Sequence, residues 1–156
     1  MPIAPTLPAR GWAKSVAMKV RKDIDPNVEP SGTGCVECLR SKGWWLHLRR
    51  CTTCGHIGCC DTSPSQHARV HYQETGHAIM TSFEPGERWF WDYREARVFE
   101  GPELAPPRWR PRDQPVPGPE GRVPPDWNEK LNRLLLRRTS VPEIDHRGAM
   151  RRSINR

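Results

Sequence analysis

Residues 35–77 carry the pattern that decides the fold: Cys35-Val36-Glu37-Cys38, Cys51-Thr52-Thr53-Cys54, Cys59-Cys60, and then His67, His71 and His77. All six cysteines of the chain lie between positions 35 and 60. A Cys-x-x-Cys turn directs two thiolates toward one tetrahedral zinc ion, with each sulfur at about 2.3 Å from the metal. Two such turns, followed by further cysteines and histidines, predict two closed metal sites.

The composition indicates a small domain with extensions rather than one domain that fills the chain. Of 156 residues, 35% are hydrophobic and 17 are proline, and the mean hydropathy is −0.79. A chain with so little apolar surface usually needs a metal or disulfides to fold. The sequence has no apolar run near the ~20 residues of a membrane span and no signal-peptide pattern. We therefore expect a cytoplasmic protein without a membrane partner, in which clustered cysteines more often hold metal than form disulfides.

The formal net charge of +7 is concentrated in the flanks of the chain. Residues 35–100 hold 8 basic and 8 acidic side chains, whereas residues 101–156 hold 12 basic and 7 acidic ones. Of the 25 basic residues, 20 are arginine. This excess suits phosphate contacts, and it equally suits the codon usage of a GC-rich bacterial genome.

Turn-forming residues and composition divide the chain into four predicted segments. Residues 1–34 form an N-terminal extension, and residues 35–100 form the metal-binding domain. Residues 101–125 contain nine prolines and are predicted to be an extended linker, because proline excludes helix and central strand. Residues 126–156 form a basic C-terminal helix and tail. The helix, over residues 126–138, either docks on the domain or serves as a handle for another macromolecule.

Hydrophobic alternation predicts a strand over residues 44–50, with Trp44, Leu46 and Leu48 on one face. His47 lies inside this strand, away from the Cys-x-x-Cys turns, and is expected to be structural or exposed rather than a ligand.

A helix is predicted after the last cysteine. Ser63 is its expected N-cap, Pro64 its first residue and Gln66 the partner of Ser63 in a capping box. Gly76 supplies the C-terminal stop.

Strands are also predicted over residues 78–83 and 88–93, joined by a turn over 84–87, with a short third strand over 97–99. The predicted fold class is therefore α+β: a small zinc-stabilised domain with an antiparallel sheet and a flanking helix. Three aromatic side chains of the second strand share one face and form a partly open platform: Trp89, Trp91 and Tyr93.

Eight positions complete two tetrahedral sites, and the order of the ligands favours an interleaved pairing. The first site takes Cys35, Cys38, Cys59 and His67. The second site takes Cys51, Cys54, His71 and His77. His67 and His71 lie one helix turn apart on the same face, so they join the helix to both Cys-x-x-Cys turns. Cys60 is left either as a free thiol or as a thiol that contacts the metal ligands without binding the ion, although the spacing alone allows Cys59 and Cys60 to exchange roles.

Both predicted zinc ions are structural, because four protein ligands leave no coordination position for water. Structural zinc contributes folding free energy directly, roughly 10–16 kcal/mol in small zinc fingers. This contribution compensates for the small hydrophobic core that the composition indicates.

Residues 35–99 resemble the UBP-type zinc finger, the ubiquitin-binding finger of some deubiquitinating enzymes and one histone deacetylase. The residues that carry the resemblance follow in order: Cys35-x2-Cys38, Trp45-x-His47-Leu48, Cys51-x2-Cys54-Gly55, Cys59, and His67-x3-His71-Tyr72-x4-Gly76-His77. The resemblance implies a small antiparallel sheet flanked by helices, with the zinc ligands divided as above. The chain resembles the short, stand-alone bacterial branch of that family, which lacks an attached protease.

One departure from the family bears on function. In ubiquitin-binding members the third cysteine is followed by Gly-Arg, and the arginine helps to hold the C-terminal carboxylate of ubiquitin. This chain has Cys59-Cys60-Asp61, and an aspartate at that position repels a carboxylate. In the family a tyrosine-rich strand completes the binding pocket. In this sequence Trp89 and Trp91 occupy the positions nearest to those tyrosines.

Together these features predict a non-enzymatic zinc-binding module that recognises a peptide or protein terminus in an aromatic groove. The expected groove residues are Trp45, Trp89, Trp91 and Tyr93. The alternative is a nucleic-acid or ribosome-associated factor that binds through its basic flanks, where Trp109 and Trp127 stand among arginines. Catalysis is not expected, because no nucleophile set stands apart from the metal ligands, and a redox role of Cys59-Cys60 is the remaining enzymatic interpretation.

Overall fold

A computed structural model of the protein describes residues 21–139. Most of the predicted N-terminal extension, residues 1–20, and the basic tail, residues 140–156, lie outside this range. Within it the element order is α1 (Val36–Ser41), β1 (Leu48–Cys51), β2 (Ile57–Cys59), α2 (His67–Thr75), β3 (Ile79–Ser82), β4 (Trp89–Asp92), β5 (Arg97–Glu100) and α3 (Trp127–Thr139). No helix in the described range is long and apolar enough to cross a bilayer.

The five strands form one antiparallel sheet in the order β2-β1-β3-β4-β5. β1 lies between β2 and β3, with Arg49 opposite Gly58 on one side and Ser82 on the other. β4 pairs with β3 and β5, so that Trp91 lies between Met80 and Val98. The predicted α+β class with an antiparallel sheet and a flanking helix is confirmed.

The loop between β1 and β2 contains the second Cys-x-x-Cys turn. The Cys51 N–H donates to the His56 carbonyl at 2.8 Å, and the Gly55 N–H donates to the Cys51 carbonyl at 3.0 Å. Gly55 has φ +76°, and a Cβ there would lie 1.8 Å from the Glu29 carbonyl oxygen. Glycine is therefore required at this position both by the backbone conformation and by the close approach of the N-terminal segment.

α2 begins three residues later than the predicted capping box allows. Its N-cap is Gln66, which has φ 51° and makes no side-chain cap hydrogen bond. The Ser63 hydroxyl instead accepts the Leu46 N–H at 2.9 Å, and the Gln66 amide donates to the Asp61 carbonyl at 2.6 Å. The capping box is wrong because Ser63 is bound to Leu46 and Gln66 to Asp61, so that neither side chain caps the helix. The predicted stop at Gly76 agrees with the structure, where Gly76 has φ 75°.

The predicted strand over residues 44–50 is shorter in the structure and begins at Leu48. Before it, Trp45 exchanges two backbone hydrogen bonds with Gly118, of 2.7 and 2.9 Å, outside the main sheet. Trp45 and Leu48 are both buried, at 1% and 0% exposure, which strict alternation excludes. The predicted face of Trp44, Leu46 and Leu48 is wrong because the chain bends at residues 46–47.

Two hydrophobic clusters lie within the fold. One joins two of the strands to the first Cys-x-x-Cys turn and consists of Cys35, Cys38, Trp45, Leu48, Ile57, Cys59 and Phe83. The other joins β3 and β4 to the flanking segments and consists of Ile24, Ile79, Phe90 and Leu104, with Phe99 packed against it. Because three cysteines belong to the first cluster, its packing and the first candidate metal site depend on each other.

The proline-rich segment 101–125 forms no helix and no strand of the sheet, as expected, but it packs on the domain. Arg50 is 0% exposed and donates from Nη1 to the carbonyls of Ala105 at 2.9 Å and Pro107 at 3.3 Å. Its Nη2 donates to the Val28 carbonyl, and burial lowers the pKa of this guanidinium. One buried arginine thus fastens both flanking segments to the sheet.

α3 docks on the domain rather than projecting from it. Leu131 is buried at 5% exposure. Near the end of the helix, the Arg138 guanidinium donates to the carbonyls of Asp61 at 2.9 Å, Ser63 at 3.3 Å and Pro64 at 2.9 Å. Of the two predicted roles for this helix, the structure shows docking.

Gly58 sets how closely α2 can approach β2, and its replacement by alanine should separate them. A Cβ at Gly58 would lie 2.6 Å from the Ala68 nitrogen and 2.9 Å from the Ala68 Cα. We expect Gly58→Ala to lower the free energy of unfolding by roughly 1–3 kcal/mol, the usual cost of overpacking. Denaturant unfolding at saturating zinc measures this change. Gly32→Ala is the matched control, since a Cβ there meets nothing within 4 Å. Equal stability of the two variants would contradict the prediction.

Candidate metal centres and aromatic groove

The three-cysteine cluster consists of Cys35, Cys38, Cys59 and His67, whose ligand atoms all lie within 4.8 Å of one another. His67 Nδ1 lies 3.2, 3.3 and 3.4 Å from the sulfurs of Cys35, Cys38 and Cys59. Cys35 is the N-cap residue of α1, Cys38 lies within that helix, Cys59 ends β2, and His67 begins α2. All four predicted members of the first site are therefore brought together.

The two-cysteine cluster consists of Cys51, Cys54, His71 and His77, also within 4.8 Å of one another. Cys54 Sγ lies 3.4 Å from His71 Nε2. His77 Nδ1 is buried and has no hydrogen-bond partner among the described residues. A buried imidazole nitrogen without a partner costs free energy, which a coordinated cation would recover. All four predicted members of the second site are again brought together.

The two clusters fit zinc in donor chemistry and in size. A tetrahedral ion with sulfur ligands at about 2.3 Å places those sulfurs roughly 3.8 Å apart, and Cys38 Sγ lies 4.0 Å from Cys59 Sγ. Thiolate and imidazole donors in tetrahedral sets of four are typical of structural zinc. The four residues of each cluster would hold one ion, and the bound zinc would supply folding free energy rather than a reactive group.

The protonation equilibria of the clusters suit metal binding. Burial, with the neighbouring His56 and His77, lowers the pKa of His71 to about 4, so its imidazole is neutral at physiological pH. Hydrogen bonds from Cys35 and Cys38 lower the pKa of Cys59 to about 4, and hydrogen bonds with Cys35 and Cys59, together with burial, raise the pKa of Cys38. A cation would stabilise all three cysteines as thiolates and remove that competition.

Cys60 lies outside both clusters, so Cys59 is the cysteine that faces the first site. The Cys60 sulfur lies 3.0 Å from Thr62 Oγ1 and 3.2 Å from Ser63 Oγ. Burial raises the pKa of this thiol, but hydrogen bonds from His47, Ser63 and Thr62 outweigh it and lower the pKa to about 6. His47 thus contacts Cys60 and belongs to neither metal cluster.

An aromatic groove of about 430 Å³ lies on the sheet face that carries Trp89 and Trp91. Its lining consists of Arg49, Cys60, Asp61, Thr62, Met80, Trp89, Trp91, Tyr93 and Val98. The row of Trp89, Trp91 and Tyr93 that alternation predicts therefore lies together along the groove. The expectation that Trp45 also lines it is wrong, because this side chain is buried in the hydrophobic cluster around Leu48.

Two arginines control the charge of the aromatic groove. Arg69 Nη2 lies 2.6 Å from Asp61 Oδ2, and the Tyr93 hydroxyl donates to Asp61 Oδ1 at 3.0 Å, so both carboxylate oxygens have partners. The Arg49 guanidinium lies 4.5 Å from the centre of the Trp89 ring, a cation–π distance. Among residues 21–139 Arg49 makes no ion pair with a carboxylate, which leaves its positive charge available to a ligand.

Comparison with known proteins identifies the family. Residues 35–104 match the model of zf-UBP, described as "Zn-finger in ubiquitin-hydrolases and other protein". The chain is also similar to protein RPA1320 from Rhodopseudomonas palustris, whose structure was solved by solution NMR. The two are 45% identical over 58% of this chain and 85% of that one, with a TM-score of 0.47. The chain belongs to the zf-UBP family. Comparison with curated proteins gives no match.

Membership in zf-UBP and the two Cys/His clusters together make this chain a zinc-binding module. The position of Arg49 in the groove and the contact of Arg69 with Asp61 were not predicted from the sequence. The period-2 pattern that aligned Trp89 with Trp91 could have placed Arg49 on the same face only if the pairing of β1 with β3 had been known. Arg69 could have been found from the helix, since it lies two residues after His67 and faces the loop that carries Asp61.

Acid should destabilise this zf-UBP domain over a defined range of pH. Because the pKa of His71 falls from its ordinary 6.5 to about 4 on folding, the unfolded chain binds a proton at higher pH than the folded chain does. The stabilisation is therefore complete above pH 6.5 and is lost as the pH falls toward 4, and zinc release follows the same direction. Thermal unfolding and zinc release, both recorded from pH 7.5 to 4, measure the effect. An unchanged midpoint over that range would contradict it.

Proposed function

We propose that this zinc-binding module captures the carboxyl terminus of a peptide or protein in the aromatic groove. The observation that carries the proposal is the Arg49 guanidinium, which lies over Trp89 in the groove without a carboxylate partner among the described residues. A guanidinium in such a place pairs well with a carboxylate, through charge-assisted and often bidentate hydrogen bonds.

The shape and lining of the groove support a peptide ligand. Its volume of about 430 Å³ falls within the range of ligand pockets, roughly 300–1,000 Å³. Trp89, Trp91 and Val98 offer apolar surface, and Val98 is 59% exposed. The Trp91 Nε1–H is a buried donor without an acceptor in the described range. Apolar walls with a small number of polar groups are typical of sites that select by both shape and charge.

The negative charge of Asp61 does not prevent the groove from binding a carboxylate. Its two oxygens accept from Arg69 and Tyr93, so the pair of Asp61 and Arg69 is close to neutral as seen from the groove. Arg69 also lies 5.4 Å from the centre of the Tyr93 ring. The rings of Trp89 and Tyr93 are thus each close to an arginine guanidinium. The groove therefore favours an anionic ligand group over a cationic one.

The metal clusters support a binding role rather than a catalytic one. Each cluster brings four protein donors together, and four protein ligands leave a zinc ion no open coordination position. The loop that follows Cys59 supplies Asp61 and Thr62 to the groove, so zinc at the three-cysteine cluster would hold this wall in place.

The alternative nucleic-acid or ribosome role has less support from the described residues. Several arginines of the C-terminal part are bound within the protein itself. Arg110 Nε lies 2.6 Å from Glu84 Oε2, Arg122 donates to the Cys38 carbonyl at 3.2 Å, and Arg138 bonds to the loop beside the groove. These side chains are engaged in folding contacts, which leaves fewer of them to bind phosphate.

The proposal predicts that affinity depends on Arg49 and on a free carboxyl group together. The measurement is titration of the zinc-loaded protein with a pooled hexapeptide library, synthesised once with free carboxyl termini and once as C-terminal amides. We expect the free-acid pool to bind more tightly than the amide pool. Arg49→Gln should weaken free-acid binding by roughly 10- to 100-fold, the range for a lost hydrogen bond to a charged group.

The matched control is Arg112→Gln, which removes the same charge at an exposed position away from the groove. It should leave both affinities unchanged. Equal binding of the two peptide pools by the native protein would rule out carboxylate capture. A free-acid preference that survives Arg49→Gln would rule out Arg49 as its source.

A further inference from the structure

We propose that Glu37 and His56 form a bridge that couples the two metal clusters, so that occupancy of one raises the zinc affinity of the other. Neither residue belongs to a cluster of four metal donors. They stand between the clusters and act through the ligands, as positioning residues. The inference concerns metal loading and does not depend on the ligand proposed for the groove.

The bridge begins at a ligand of the two-cysteine cluster. The imidazole of His56 stacks on that of His71, with ring centroids 4.2 Å apart and an interplanar angle of 2°. Such a parallel stack limits rotation of the His71 ring. The backbone of His56 is also fixed, because its carbonyl accepts the Cys51 N–H at 2.8 Å. His56 is therefore held against two ligands of the same cluster.

The bridge continues to the three-cysteine cluster through Glu37. His56 Nε2 lies 2.6 Å from Glu37 Oε1, and Glu37 Oε2 lies 3.5 Å from Cys35 Sγ. Glu37 belongs to the short helix α1, between Cys35 and Cys38 in the chain. Zinc at the three-cysteine cluster would anchor α1 at both of these cysteines. That anchoring would fix the position from which Glu37 holds His56.

The burial of the pair distinguishes it from an ordinary surface ion pair. The His56 side chain is 15% exposed and that of Glu37 is 37% exposed, and the stack on His71 removes one face of the imidazole from water. Residues that orient metal ligands typically change metal affinity by 10- to 100-fold when they are replaced. A coupling between two sites is reciprocal, so zinc at either cluster should favour zinc at the other.

The test is a titration of the metal-free, full-length protein with Co²⁺, followed by visible absorption, and with Zn²⁺ against a chromogenic chelator. Sulfur-to-cobalt charge transfer is stronger with three thiolates than with two, so the spectrum distinguishes the clusters. The variants are Glu37→Gln, His56→Phe, which keeps a stacked ring but loses the hydrogen bond, and the double variant. Glu74→Gln, at an exposed carboxylate of α2, is the matched control.

We expect the native protein and Glu74→Gln to load both ions in one cooperative transition. Glu37→Gln and His56→Phe should each split the titration, with the two-cysteine cluster weakened about 10- to 100-fold. The metal affinity of the double variant should be no lower than that of either single variant, because both substitutions break the same bridge.

Two results would overturn the coupling. One is that both single variants bind the two metal ions in the same single transition, and with the same affinity, as the native protein. The other is an equal loss at both clusters with additive effects in the double variant, which indicates general destabilisation. Circular dichroism of the zinc-saturated variants establishes that each one folds before its titration is interpreted.

Discussion

One turn of helix between His67 and His71 is the constraint on which the rest of the structure depends. The two imidazoles leave the same face of α2, and each reaches a different cluster: His67 the thiols of Cys35, Cys38 and Cys59, and His71 the thiol of Cys54. One short helix is thereby fastened to α1, β2 and the loop between β1 and β2. In a chain with 35% hydrophobic residues, apolar burial alone is a weak source of stability, and zinc bound at these clusters would add folding free energy directly.

The aromatic groove follows from the same arrangement. Its floor is the sheet face that carries Trp89 and Trp91, and its wall is the loop from Cys60 to Thr62. That loop is held on one side by Cys59 in the three-cysteine cluster and on the other by the Arg138 guanidinium of α3. The groove is thus supported by metal-binding residues and by the C-terminal helix, which explains how so small a domain can present an open row of tryptophans.

The features that could be predicted from the sequence are those set by local spacing. The ligand set follows from the order of cysteines and histidines, the C-cap from Gly76, and the aromatic row from period-2 alternation in β4. The features that were missed depend on long-range partners. Ser63 does not cap α2 because its hydroxyl accepts the Leu46 N–H, from 17 residues earlier in the chain. Trp45 turns into the core because Gly118, far along the chain, pairs with its backbone. The proline-rich segment packs on the domain because buried Arg50 donates hydrogen bonds to its carbonyls. The burial of an arginine within a strand could not be predicted from the sequence pattern.

Metal content and metal dependence of the fold test the central claim most directly. Elemental analysis of the purified full-length protein should find two zinc ions per chain. Removal of both by a strong chelator should abolish the near-ultraviolet circular dichroism of the buried tryptophans, and zinc should restore it. Far less than two equivalents of metal, or a tertiary signal that survives complete chelation, would contradict the claim that two zinc ions hold this domain together.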